Sequence, residues 1–289
     1  MKLGWVGVGK MGLPMASHLL AAGHSVTACD LVPALVQAAV AHGARAAATP
    51  AAAARAAEVV FSSIPDDRAL RAVALSETGV LAGARPGAVY VDTSTVSAAA
   101  SAEVAAAAAA KGVHYLRVTV SGNNKMAEGK ALTIMASGER ATYERCRTLL
   151  ALFGPQQYYV GDAEQARTLK LAVNLMVYAT VSGLAEALAI GRRGGVDWEQ
   201  LLDVIAASAI GSPLIKAKSG ALKARDFSAT FTCLQARKDL SLISGAAAAS
   251  GVPAPVAEIA ARLIEDCIAN GSAEEDYAAM IKAVERAAK

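Results

Sequence analysis

The sequence predicts a doubly wound α/β domain over residues 1–161, followed by an all-α domain over residues 162–289. In the first part, short β-branched segments alternate with alanine-rich helical segments, which is typical of a parallel sheet covered by helices. In the second part no segment has a strand pattern, and glycines and prolines separate helical segments. The chain of 289 residues is also long for one core and suits two domains.

The elements of the first domain are predicted in order from these local patterns. A short strand and a helix are also expected within residues 46–57, and a polar loop is expected between the strands at residues 115–120 and 132–136. Strands are predicted at residues 2–8, 25–29, 59–64, 88–91, 115–120, 132–136 and 157–160, and helices at residues 13–22, 33–42, 67–75, 98–111 and 142–153.

The second domain is predicted to contain six helices, of which the first joins the two domains. From residue 168 to residue 190 this helix is mostly apolar, so it has the length of a membrane span. Lys170 and Glu186 would each be costly in lipid, so a buried helix of a soluble protein is expected instead. The predicted helices are residues 165–192, 197–207, 213–221, 230–250, 255–270 and 274–287.

Composition excludes several classes of function. Aromatic residues make up only 4% and the net charge of +3 is scattered, so neither a nucleic acid nor an anionic membrane is expected as a partner. The four cysteines lack metal-ligand spacing, which predicts reduced thiols in a cytoplasmic protein and no metal site. Glycines and a lysine interrupt the N-terminal apolar run too early for a signal peptide.

The N-terminal segment contains the pattern GxGxxG, formed by Gly7, Gly9 and Gly12 with Lys10 and Met11 between them. The pattern follows a predicted strand and opens a helix, as in a Rossmann-type nucleotide site. The first glycine permits a tight turn, the second lets the backbone approach a pyrophosphate, and the third lets helix and strand pack closely. A glycine-rich turn without a ligand is the alternative.

Asp30 ends the second strand and predicts NAD rather than NADP as the cofactor. A carboxylate there can accept hydrogen bonds from a ribose 2′-hydroxyl and would repel a 2′-phosphate. A solvated acid at the end of a strand is the alternative. Two further segments follow strands, at the edge where open α/β sheets bind ligands. Their candidate cofactor residues, each of which also fits an ordinary turn, are Ser63, Ile64, Pro65, Ser94 and Thr95.

The candidate substrate site combines a loop and a helix. Ser121, Gly122 and Asn123 offer a hydroxyl, a backbone N–H and an amide to a carboxylate, although a polar turn has the same composition. Lys170 and Asn174 share one face of an apolar helix. Burial lowers the pKa of a lysine, and carbonyl reduction by hydride needs a proton donor. A lysine that extends to solvent at the start of the helix is the alternative.

These motifs together resemble the β-hydroxyacid dehydrogenase family, which includes 3-hydroxyisobutyrate dehydrogenase and the glyoxylate/succinic semialdehyde reductases. The resemblance covers essentially the whole chain and rests on GVGKMGLPMASHLL, VDTST, VSGNNKMAEGKALTIMASG, LKLAVN and KDLSL. It implies an NAD(P)-dependent oxidoreductase that acts on a small β-hydroxy acid or semialdehyde and assembles as a homodimer or homotetramer. An imine reductase or reductive aminase is the alternative enzyme, and a non-catalytic cofactor-binding module is the third hypothesis.

The resemblance also implies roles for single residues. Lys170 matches the catalytic lysine and Asn174 its companion, while Thr95 would lie by the nicotinamide ribose. Lys238 matches a lysine that reaches the cofactor; from spacing alone, Lys238 and Asp239 also fit a surface ion pair. The residues that would contact the substrate are Ser121, Gly122, Asn123, Lys170, Asn174, Phe231 and Asp239.

The chain departs from the pattern of the family at two places. Arg117 begins a segment, RVTV, where many members have Asp-Ala-Pro-Val, and Asn123 stands where many have glycine. The loop resembles the glyoxylate/succinic semialdehyde reductases, but those enzymes usually carry an arginine after the second strand and use NADPH. The sequence therefore leaves the identity of the substrate open.

Overall fold

Short runs, most of them rich in β-branched or aromatic residues, form eight strands in the N-terminal part of the chain. The computed structural model describes residues 1–288. The strands form one sheet in the order β3-β2-β1-β4-β5-β6-β7-β8, whose reversal between β1 and β4 is the switch point of a doubly wound fold. They are β1 (Lys2–Val6), β2 (Ser25–Cys29), β3 (Arg45–Ala46), β4 (Val59–Ser62), β5 (Val89–Asp92), β6 (His114–Ser121), β7 (Thr133–Gly138) and β8 (Gln156–Tyr159).

The strand direction changes once. Strands β1 to β6 pair in parallel, whereas β7 is antiparallel to β6 and β8 is parallel to β7. The predicted parallel, doubly wound sheet is thus confirmed for most of the strands, and the one antiparallel pair is β6 with β7. A parallel crossover usually takes a dozen or more residues, and the short connection over residues 122–132 favours an antiparallel return.

Helices cover both faces of this sheet. Alternate strand residues face two separate cores, so that Trp5 and Phe61 stack on one face at 5.0 Å while Val60 and Tyr90 are buried on the other. Two of the helices, α5 and α7, were not expected, and α7 lies in the predicted polar loop. The helices are α1 (Gly12–Ala21), α2 (Pro33–Ala41), α3 (Pro50–Ala54), α4 (Asp67–Leu75), α5 (Val80–Gly83), α6 (Ala98–Ala110), α7 (Asn124–Glu128) and α8 (Arg140–Leu150).

The remaining helices form the all-α part, as the sequence predicts. Its last predicted helix, 274–287, begins later, because Asp276 caps a 3₁₀ turn at Tyr277–Ala279 with a bond of 3.0 Å from the Ala278 N–H. The helices are α9 (Gln165–Arg193), α10 (Trp198–Ala207), α11 (Pro213–Lys223), α12 (Cys233–Ser250), α13 (Pro255–Ala269) and α14 (Met280–Ala287).

Two compact units divide the chain, Met1–Lys170 and Leu171–Lys289, so the division falls inside α9. Helix α9 is long and apolar enough to cross a membrane by length and composition alone. Beyond Lys170, one stripe of α9 belongs to the core of the second unit, whereas Glu186 is exposed. The buried residues of that stripe are Leu171, Tyr178, Val181, Leu184, Ala185 and Leu188.

Candidate active site

The glycine loop between β1 and α1 has the geometry of a phosphate site. Gly7 has a φ of 85°, and a Cβ there would lie 2.2 Å from the carbonyl oxygen of Ser63. A Cβ on Gly12 would lie 1.9 Å from the carbonyl oxygen of Gly7. A Cβ on Gly9, in contrast, would meet no atom within 4 Å. The fold thus requires two of the glycines, while Gly9 leaves open space beside the N-terminus of α1, which suits a pyrophosphate.

Asp30 connects the end of β2 to this loop. Its Oδ2 accepts a hydrogen bond of 2.9 Å from the Val8 N–H, and its Oδ1 accepts one of 2.9 Å from the Val32 N–H. Each carboxylate oxygen has a second lone pair, so Asp30 can hold the loop and still accept from a ribose hydroxyl. Lys10 is exposed and Met11 half-buried at the start of α1. Cofactor contacts by these two residues remain predictions.

The loops that follow β4 and β5 are cross-linked by buried polar groups. Asp92 Oδ1 accepts hydrogen bonds from the hydroxyls of Ser62, at 2.5 Å, and of Ser94, at 2.7 Å. The N–H of Ile64 donates to the Ser94 hydroxyl at 2.9 Å. The structure therefore brings the two predicted cofactor loops together at the carboxyl edge of the sheet, where Ser63 and Thr95 are half-buried and Pro65 is exposed.

A buried arginine that was not predicted from the sequence is bonded to the end of β5 and to the loop that follows it. Arg167, on α9, is fully buried and forms an ion pair with Asp92 through Nη2 and Oδ2 at 2.5 Å. Its Nη1 donates to the Ser94 carbonyl at 2.6 Å, and Nη2 donates to the Tyr115 hydroxyl at 3.0 Å. Burial alone would lower the pKa of the guanidinium, but Tyr115 and Asp92 raise it above its usual value. No local signal singles out Arg167, because the segment around it, residues 162–170, is mostly polar.

The predicted substrate loop begins at the end of β6. Ser121 is half-buried, and Gly122 has a φ of 137°, which an L-residue rarely adopts. Asn123 is the N-cap of α7, because its Oδ1 accepts a hydrogen bond of 3.0 Å from the Met126 N–H. The sequence leaves a substrate contact and a polar turn open for Asn123, and the structure gives its oxygen a local capping role. The amide nitrogen remains the part of Asn123 that could bind a substrate.

The start of α9 is held along β6 and β7. The Ser137 hydroxyl accepts from the Ala166 N–H at 3.1 Å, and the Thr119 hydroxyl donates to the Ala166 carbonyl at 3.0 Å. Lys170 comes four residues later, about 6 Å farther along a helix axis. Ser121 comes two residues after Thr119, about 6.6 Å farther along a strand. Because the two distances are similar, we expect the half-buried Lys170 to lie near the substrate loop.

Arg117 has a structural partner in the same region. Its Nε donates to Glu164 Oε1 at 2.8 Å, and its guanidinium lies 4.9 Å from the ring centroid of Tyr115. The side chain is nearly buried on β6, just below the loop that Ser121 begins. The departure from the family pattern at this position is thus accommodated by an ion pair with the residue that precedes α9.

The second unit contains a buried cluster around Asp239. Its Oδ2 accepts from the side-chain amide of Asn174, at 2.7 Å, and from the Tyr178 hydroxyl, at 3.3 Å. Its Oδ1 pairs with Lys238 Nζ at 2.7 Å. Burial raises the pKa of Tyr178 well above its usual value, and the charge of Asp239 adds to this effect, so the phenol stays a donor. The alternative of a surface ion pair is wrong for Asp239, which is buried.

A carboxylate only accepts hydrogen bonds, so the atom of Asn174 that faces Asp239 is its amide nitrogen. The side-chain oxygen of Asn174 therefore points elsewhere, one turn of α9 after Lys170. Phe231 lies just before α12, half-buried, with its ring edge-to-face against Tyr277 at 6.3 Å. The substrate-binding roles of Asn174, Phe231 and Asp239 remain predictions.

Comparison with known families decides the class of protein. A family model for the NAD binding domain of 6-phosphogluconate dehydrogenase matches residues 2–161. A second model, for the NAD-binding region of NADP-dependent 3-hydroxyisobutyrate dehydrogenase, matches residues 165–284. The chain belongs to the β-hydroxyacid dehydrogenase family. This membership confirms the predicted family and the predicted class, an NAD(P)-dependent oxidoreductase of EC 1.1.1 type.

Similar proteins extend over nearly all of this dehydrogenase. The chain is 35% identical to 2-(hydroxymethyl)glutarate dehydrogenase of Eubacterium barkeri, over 99% of this chain and 95% of that protein. It is 29% identical to the cytokine-like nuclear factor N-PAC of Homo sapiens over 98% of this chain, but it spans about half, 51%, of that relative. The solved 3-hydroxyisobutyrate dehydrogenase of Mycobacterium tuberculosis with L-serine superposes with a TM-score of 0.88, at 29% identity and 98% coverage of both chains.

Solved imine reductases share the fold of this dehydrogenase at a greater distance. The enzyme from Myxococcus stipitatus in complex with NADP⁺ has a TM-score of 0.67 at 20% identity, over 98% of this chain and all of that chain. Identity at that level indicates a common fold and no more. The alternative of an imine reductase therefore gains no support on function from this likeness.

Proposed function

We propose that this protein is an NAD-dependent dehydrogenase that interconverts a small β-hydroxy acid and its semialdehyde, or reduces a short aldehyde acid. One observation supports the proposal: Thr119, two residues before Ser121, anchors the start of α9, the helix of Lys170, and the loops of Gly9 and Ser94 follow strands of the same sheet. A proton donor, a carboxylate-binding loop and a nucleotide loop thus belong to one edge of one sheet.

In the proposed reduction, the nicotinamide supplies the hydride to the carbonyl carbon of the substrate. Lys170 gives a proton to the carbonyl oxygen, and in the reverse direction it takes the proton from the hydroxyl. The hydroxyl of Ser121 and the backbone N–H groups that follow it bind the carboxylate of the substrate. Asn174 donates its amide to Asp239, which leaves its oxygen to orient the ammonium of Lys170 or the hydroxyl of the substrate.

The preference for NAD over NADP rests on Asp30. Two backbone N–H groups, of Val8 and Val32, hold its carboxylate in place beside the glycine loop. A fixed carboxylate favours ribose hydroxyls and opposes a 2′-phosphate. The exposed residue after Asp30 is leucine, which offers a 2′-phosphate no charge.

We further infer a cytoplasmic homodimer or homotetramer without a membrane or nucleic-acid partner. All four cysteines are free thiols, as expected in a reducing compartment. Within the second unit, several large apolar side chains are exposed, and they are the candidates for contacts between subunits. They are Met176, Ile190, Val196, Val204, Ile210, Val252, Val256 and Ile259.

Substitution of Lys170 by alanine tests the proposal. We expect Lys170→Ala to bind NADH normally, by fluorescence titration, and to lose about 10²–10⁴-fold in kcat, the usual size of general acid–base catalysis. The control is Lys216→Ala, which removes an exposed helical lysine from α11. The substrates are glyoxylate and succinic, methylmalonic, tartronic and sulfonated semialdehydes, each with NADH and with NADPH. Normal turnover by Lys170→Ala, or turnover of a cyclic imine alone, would contradict the proposal.

A further inference from the structure

We propose that Arg167 is a positioning residue for the reaction, which fixes the helix of Lys170 to the loop of Thr95. The inference rests on the proposed function, which assigns proton transfer to Lys170 and a contact with the nicotinamide ribose to Thr95. Arg167 precedes Lys170 by three residues, so the two side chains leave neighbouring positions of the same helix face. Its Nη1 donates at 2.6 Å to the carbonyl of Ser94, the residue directly before Thr95.

The arginine fixes a direction as well as a distance. Its planar guanidinium carries donors in a rigid fork, and three of its bonds reach three different strands or loops. Nη2 pairs with Asp92 at the end of β5 and also bonds to Tyr115 on β6, while Nη1 bonds to the Ser94 carbonyl. A helix held this way can neither slide nor turn without breaking at least one charge-assisted hydrogen bond.

Stability alone is a poor explanation for this ion pair. Both side chains are completely buried, and replacing such a pair with well-packed apolar residues is often neutral or stabilising. Apolar residues at both positions, however, would leave the Ser94 carbonyl without the Arg167 donor and the Ser62 and Ser94 hydroxyls without the Asp92 acceptor. The pair is therefore better suited to fixing geometry than to adding stability.

The same cluster reaches the second cofactor loop. Asp92 accepts from Ser62 and Ser94, and Ser94 accepts from the N–H of Ile64. Burial raises the pKa of Tyr115 to about 12, although Arg167 beside it acts in the opposite direction. Tyr115 therefore remains a neutral phenol across the physiological range, and the cluster keeps its hydrogen bonds there.

The test compares two arginines of the first unit. Arg167→Met removes the positioning contacts, and Arg117→Met is the matched control. Arg117 is also nearly buried, also pairs with a carboxylate and also holds the start of α9, through Glu164, but it has no bond to the loop of Ser94. We expect both variants to melt at lower temperature. Only Arg167→Met should raise the KM for NAD and lower kcat, by about 10²-fold in kcat/KM, as a small misplacement of reacting groups does.

Arg167→Lys covers the case in which Arg167→Met fails to fold. It keeps the buried charge for Asp92 but lacks the fork that reaches the Ser94 carbonyl, so it should show the same change in KM and kcat at higher stability. The proposal is overturned if folded Arg167→Met and Arg167→Lys are less stable than wild type yet keep the KM and kcat of the wild type. Failure of the proposed function gives a different result, since Lys170→Ala would then retain turnover.

Discussion

In the second unit, the side-chain amide of Asn174 donates a hydrogen bond of 2.7 Å to the buried carboxylate of Asp239. The same oxygen accepts from Tyr178, so Asp239→Leu would leave two buried donors without an acceptor. We expect this variant to lose at least about 1–3 kcal/mol in the free energy of unfolding, measured with urea. Asp239→Asn keeps an accepting oxygen and should lose less. Equal stability of Asp239→Leu and wild type would show that the cluster contributes nothing.

Gly9 and Gly12 separate the requirements of the fold from those of the cofactor. Gly9→Ala should leave the melting temperature unchanged, because its Cβ meets no atom within 4 Å, but it should weaken NADH binding by about tenfold or more where a pyrophosphate would approach. Gly183→Ala in α9 also meets no atom and is the control, with unchanged affinity. Normal NADH affinity in Gly9→Ala would place the pyrophosphate elsewhere.

Gly12→Ala should fail to fold, since its Cβ would overlap a carbonyl oxygen.

A substitution of Leu31 can test the cofactor preference without disturbing the fold. Its side chain is completely exposed, and Asp30 keeps its bonds to the backbone when Leu31 changes. Leu31→Arg should raise kcat/KM with NADPH by about tenfold, since a hydrogen bond to a charged group contributes roughly 1.5–3 kcal/mol. Val40→Arg adds the same charge on α2 and should have no such effect. An enzyme that prefers NADPH before any substitution would refute the interpretation of Asp30.

The contacts of Glu285 with two arginines predict how the stability of the protein depends on pH. Burial would raise the pKa of this carboxyl, but hydrogen bonds and charge from Arg225 and Arg192 hold it below its usual 4.5. A lowered folded pKa adds stability above pH 4.5, and this contribution is lost as the pH falls through the folded pKa. Glu285→Gln should therefore be less stable than wild type at pH 7, and the difference should shrink below pH 4.5. Glu186→Gln, at an exposed position of α9, should match wild type throughout.

Local patterns predicted much of the architecture and little of its long-range chemistry. The glycine loop, most strands and the change to helices after residue 161 each depend on neighbouring residues, so periodicity and turn residues were sufficient. The direction of β7 depends on the length of a connection that contains an unexpected helix, α7.

The polar partners were harder to predict because they lie far apart along the chain. Arg167 pairs with Asp92 and Asn174 with Asp239, and in each case the pair meets only after helices and strands have packed. Sequence reasoning assigned Asp239 to the substrate only through the family resemblance, since spacing alone also fitted a surface ion pair. It singled out Lys170 and Asn174, in contrast, because four-residue spacing is local.

The three-residue spacing between Arg167 and Lys170 limits how the chain can vary in length. Each residue turns an α-helix by about 100°, so one inserted or deleted residue between these two would carry the lysine around to another side of α9 while the arginine kept its partners. Loss or gain of a residue there should abolish turnover in a protein that still folds. Turns at the opposite edge of the sheet, such as the one at Gly43, should accept insertions, because residues 41–43 are exposed.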